Sequence, residues 1–125
     1  MANSQTLRPS TGAIAAGVTS ANILQGTLIQ YPGAPSMVRV AATVAAAAAG
    51  DGLMQLAIGG RNVTGNGQVI PTELSPGRGP DAQLGWLYEG PALGDDLLEL
   101  SVRNVDTTNA IAAPGAQFIV QVEPI

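Results

Sequence analysis

Short runs in which every second residue is apolar, cut apart by glycine, proline and asparagine, constrain this chain more than any other feature. Across residues 37–44, Val38, Val40, Ala42 and Val44 share one face, while Met37, Arg39, Ala41 and Thr43 share the other. The pattern returns across residues 53–58, where Met54, Leu56 and Ile58 oppose Leu53, Gln55 and Ala57. Leu98, Leu100 and Val102 alternate with Glu99, Ser101 and Arg103; Phe118, Val120 and Val122 alternate with Gln117, Ile119 and Gln121. A helix brings apolar residues round about every 3.6 positions, whereas a period of two belongs to a strand with one face buried. Weaker stretches at 24–31, 69–74 and 83–89 bring the expectation to seven or eight strands.

The spacers carry turn chemistry. Pro32-Gly33, Asp51-Gly52, Asn66-Gly67, Pro76-Gly77 and Pro114-Gly115 supply the backbone angles that turns require. Asn66-Gly67, between Val63 and Val69, suits a type I′ hairpin. Residues 75–81, rich in glycine and proline, read as a loop. The five alanines at 45–49 favour a helix, but Val38, Val40 and Val44 before them favour a strand running into a turn at Gly50-Asp51-Gly52; a short helix is the alternative. Residues 1–20 hold Pro9, Gly12 and Gly17 without alternation and read as an extended arm. The sequence therefore predicts an all-β fold: an N-terminal arm over 1–20 and a single antiparallel β-sandwich, jelly-roll-like, over 21–125. Its expected core is Val38, Val40, Val44, Met54, Leu56, Ile58, Trp86, Leu98, Leu100, Val102, Phe118, Val120 and Val122.

Composition removes most chemistry. With no Cys and no His, the chain holds no disulfide, thiol nucleophile, histidine base or serine triad. Five Arg, no Lys and nine acids leave a net charge of −4, and the Arg are scattered singly rather than clustered as phosphate binding requires. No direct nucleic-acid contact is expected, no run is long enough to span a membrane, and residues 1–12 lack the apolar core of a secretory signal. Only 11% of the residues are charged, which suits a surface that packs against other subunits.

Three features remain as site candidates. Residues 59–67 are Gly-rich, but without Lys they make no Walker loop, and a strand-like run follows where a dinucleotide fold needs a helix; they read as a hairpin loop, with Asn62-Val63-Thr64 as a polar turn despite matching a glycosylation triplet. Asp95, Asp96 and Glu99 are the acidic cluster from which a Ca²⁺ site would have to be built, yet they lack the alternating spacing of a calcium loop and read first as a solvated turn. Trp86 and Tyr88 are two of four aromatics; Trp86 reads as a core anchor, and an exposed pair would instead suit sugar binding. No catalytic residue and no cofactor is expected, and a carboxylate-based hydrolase is the least favoured reading.

The last third, Leu98-Glu99-Leu100-Ser101-Val102-Arg103-Asn104-Val105-Asp106, then a Thr/Asn turn, Ile111, Pro114-Gly115 and a closing 118–122 strand, resembles the final strands of small virion jelly rolls and of bacteriophage capsid decoration (cement) proteins. The resemblance is one of pattern and also takes in the polar arm. It implies an oligomeric shell component, commonly a homotrimer, that grips a major capsid protein at the outer surface of a virion and is made in the host cytoplasm. Leu7, Ile14 and Val18 are spaced to drop into pockets on such a partner, so the arm is expected to lie against a neighbour rather than its own core. A sugar- or receptor-binding sandwich of fibre or adhesion type is the alternative.

Overall fold

β-Branched valines at 38, 40 and 44 hold residues 36–44 extended and face one side, and the rest of the molecule is arranged around that strand. The computed structural model describes residues 4–44, 52–71, 80, 85–112 and 115–125. The strands are β1 (Gln5–Leu7), β2 (Ser36–Val44), β3 (Gly52–Ile58), β4 (Arg61–Asn62), β5 (Gln68–Val69), β6 (Tyr88–Ala92), β7 (Leu98–Asn104) and β8 (Ala116–Pro124). One sheet runs β1-β8-β2-β6; in the other, β3 pairs with β7 on one side and with β4 and β5 on the other. Every pairing is antiparallel, and the described residues contain no helix. The protein is an all-β sandwich.

Alternation places the core between the sheets. Val38, Val40, Val44, Phe118, Val120 and Val122 from one sheet meet Met54, Leu56, Ile58, Leu98, Leu100 and Val102 from the other in a single cluster. Burying side chains of this size contributes about 1.5–3 kcal/mol each, which makes this cluster the main stabilising term. The expected core thus forms, except at Trp86. That ring is only half-buried and stands outside the cluster; Leu87 and Tyr88 pack against the core instead, because β6 begins at Tyr88.

Other expectations are corrected by local turn hydrogen bonds. Residues 24–31 form consecutive turns rather than a strand, with Thr27 N–H donating to Leu24 O at 3.1 Å and Gln30 N–H to Thr27 O at 3.3 Å. They still send Leu24 and Ile29 into the core. The two-residue hairpin lies at Gly59-Gly60, whose φ values of 59° and 82° give the type I′ geometry that matches strand twist. Asn66-Gly67 instead closes a turn in which Gly67 N–H donates to Thr64 O at 3.0 Å, inside the bulge between β4 and β5. The alanine run at 45–49 and most of the loop at 75–81 lie outside the described residues, as do 72–74 and 83–84 of the weaker strands.

The largest correction concerns the arm. β1 pairs with β8 from Gln5↔Val122 to Leu7↔Val120, and bridges continue at Ser10↔Gln117, Ile14↔Ile111 and Thr19↔Arg103. The segment thereby closes the edge of β8 in one sheet, turns a corner, and closes the edge of β7 in the other. Ile14 is buried at 3% exposure and exchanges two backbone hydrogen bonds with the fully buried Ile111. Leu7 packs half-buried on the core, and Val18 stays 46% exposed. Residues 5–20 lie against their own sandwich, because their backbone groups and Ile14 find partners there.

Candidate functional site

The turn chemistry that separates the strands gathers several of them at one end of the sandwich. Gly33 N–H donates to Gly94 O, Ile125 N–H to Pro35 O, Gly59 N–H to Leu97 O and Leu98 N–H to Gln30 O, so three loops and the residue after β8 are tied together. Between them lies an apolar groove of about 410 Å³, walled by Pro35, Pro91, Ala92 and Leu93 and bordered by Ile125, Arg61 and Asp96. Leu93 and Ile125 are 60% and 83% exposed, large values for apolar side chains beside a groove.

Asp96 explains much of this geometry. Its Oδ2 accepts the Leu93 N–H at 2.9 Å and lies 3.7 Å from the Arg61 guanidinium. Gly59 must be glycine here for two reasons: its φ is positive, and a Cβ would stand 2.5 Å from Asp96 Oδ1. Of the other acidic candidates, Asp95 is exposed, and Glu99 faces outward on β7 opposite Ala57. Among the described residues no three carboxylates converge on one point. Asp96 braces the loop through Leu93 and pairs with Arg61.

The second constellation is Arg39, at the centre of the outer face of the first sheet. Its Nε donates to Glu89, and its Nη1 donates to Gln121 Oε1 at 3.1 Å and Glu123 Oε2 at 3.0 Å. These hydrogen bonds, the Glu89 one foremost, raise the guanidinium's pKa above its ordinary value. The arrangement laces β6, β2 and β8 together and offers no free reactive group. Alternation had put Arg39 and Gln121 on outward faces; only the strand register brings them together with Glu89.

Near the groove, the Tyr88 ring lies over Gly90, so closely that a Cβ at Gly90 would collide with its hydroxyl. Burial pushes the Tyr88 phenol up, with Arg61 opposing. The groove itself was not visible in the sequence, since its walls come from four distant segments that share no motif. Among the described residues no helix is long and apolar enough to cross a membrane. No protein-family model, curated protein or solved structure matches the chain.

Proposed function

We propose that this protein is a structural virion component of jelly-roll type, which decorates and stabilises a phage capsid through subunit contacts and performs no catalysis. The observation that carries the reading is the apolar groove with Leu93 and Ile125 exposed beside it, on a chain with only 11% charged residues. Exposed apolar surface rimmed by an ion pair favours a protein partner over a small polar ligand. The partners under this reading are its own copies, as a homotrimer, and a major capsid protein at the outer shell surface.

Co-sedimentation with shells of the particle that encodes the chain tests it. The protein should pellet with shells, and Leu93→Asp should weaken that binding about tenfold or more, an anchor residue being worth at least ~1.4 kcal/mol. Failure of the native protein to bind those shells overturns the reading. One observation favours a second reading, a sugar- or receptor-binding sandwich: Trp86 is half-buried but outside the core, where a ligand could reach its ring. A shift in Trp86 emission on adding a glycan panel would select that alternative.

A further inference from the structure

The segment that closes both sheet edges is held very unequally on either side of its corner. After the corner, Ser20 Oγ accepts the Val102 N–H and Asn22 Oδ1 accepts the Leu100 N–H, both at 2.9 Å, and Leu24 is fully buried. Before the corner, residues 4–14 place one large side chain, Ile14, fully in the core and one, Leu7, partly so; Gln5, Thr6, Arg8, Ser10 and Ala13 are exposed. The corner itself is a turn in which Val18 N–H donates to Ala15 O at 3.1 Å and Gly17 adopts a φ of 70°. An element with few buried apolar contacts opens at far lower cost than the whole domain unfolds.

What this segment covers fits its own sequence closely. Ile14 fills a site beside Ile111, Thr11 Oγ1 accepts the Ala116 N–H at 3.0 Å, and the Gly12 carbonyl lies so near Gly115 that a Cβ there could not be accommodated. We propose that residues 4–14 are an exchangeable strand, and that the channel along β8 and Ile111 takes the same segment from a second copy of this chain. In the exchanged form every contact of residues 4–14 is kept, and only the turn at residues 15–18, with its Val18 N–H to Ala15 O bond, is opened. The balance between the two forms is then set by the hinge and by concentration. The partner copy supplies Ile14 to the core, so each sandwich is completed by its neighbour. This inference stands apart from the capsid reading, since exchange requires only a second copy.

The chain has no cysteine, which makes crosslinking clean. Ser10 and Gln117 face each other, flanked by the hydrogen bonds Phe118 N–H to Pro9 O and Thr11 N–H to Ala116 O. That is the close, non-hydrogen-bonded type of antiparallel pair, within reach of a disulfide. Full-length Ser10→Cys carrying a heavy-isotope label is mixed with unlabelled Gln117→Cys, incubated, oxidised and digested for mass spectrometry. The expected result is a mixed disulfide joining positions 10 and 117 of different chains, its share rising about tenfold with a tenfold rise in concentration while dimers are scarce. The double variant Ser10→Cys/Gln117→Cys should yield covalent dimers in concentrated samples and closed monomers in dilute ones. Overturning results are a mixed-disulfide yield no greater than with Leu28→Cys in place of Gln117→Cys, or a double variant that closes only within single chains at every concentration. Failure of the double variant to form any disulfide would overturn the pairing on which the proposal rests.

Discussion

Thr43 stands on the outward face of β2, yet it is only 7% exposed, and its hydroxyl finds no hydrogen-bond partner among the described residues. A buried hydroxyl without a partner costs about 1–3 kcal/mol of desolvation, and valine has nearly the same shape. Thr43→Val should therefore raise stability by about 1 kcal/mol, read as a higher urea midpoint with an unchanged slope. Asp106 is the opposite case. Its carboxylate accepts N–H groups from Asn109 and Thr108 and the side-chain amide of Asn109, and those bonds hold its pKa below the ordinary 3.8. A depressed carboxyl pKa gives stability that is complete above the unfolded value and is lost as pH falls through the folded one. Asp106→Ala should lower the melting temperature at neutral pH, and the gap from the native protein should close as the buffer is taken below 3.8. Equal gaps at pH 7 and pH 2 would contradict this.

Among the strands, what the sequence revealed and what it hid divide along one line. The facing sets Val38/Val40/Val44, Met54/Leu56/Ile58 and Leu98/Leu100/Val102 were legible because each is written in consecutive residues of one element. Ile14 and Ile111 were not legible as core, being single large side chains flanked by alanines in stretches without alternation, whose burial comes from pairing with each other. Ile119 was misplaced for a related reason: alternation put it outside, yet it is 4% exposed, as is its neighbour Ala41 at 3%. Of the candidate site, Asp96 was legible as a residue but not in its role, because its partner Arg61 lies on the β3–β4 hairpin. That hairpin permits a graded test. Gly60→Ala forces alanine into a left-handed angle with open space around it and should cost about 1–2 kcal/mol. Gly59→Ala adds a collision with Asp96 and should cost more, both read by thermal melting with Asp96→Ala as the background that reduces the difference.

At the scale of the whole molecule, the two sheets are joined by their shared core, by the loops gathered at the grooved end, and by the segment that passes from the edge of β8 to the edge of β7. Asn104 secures that passage. It is fully buried, its amide donates to Asn109 O at 2.9 Å and, more loosely, to Ile14 O and Ala15 O, and its Oδ1 accepts the Asp106 N–H. Asn104→Leu should leave the Asn109 carbonyl without its amide donor and the Asp106 N–H without its acceptor, while Ile14 O and Ala15 O keep the N–H groups of Ile111 and Val18; it should destabilise the domain by about 1–3 kcal/mol, measured by chemical denaturation. The partnership of β1 with β8 also has a bearing on the ribosome. Among the described strands, β1 is made before the others and must wait for β8, with the intervening strands already in the open. Until β8 is made, the side of β2 that it pairs with stays uncovered, at a time when a nascent chain is most exposed to other chains. Closure of β1 on β8 is then a slow event that follows synthesis of β8, on the millisecond-to-second scale typical of strands distant in sequence, and crowding of identical nascent chains on one message is the circumstance in which an edge would meet the wrong copy first.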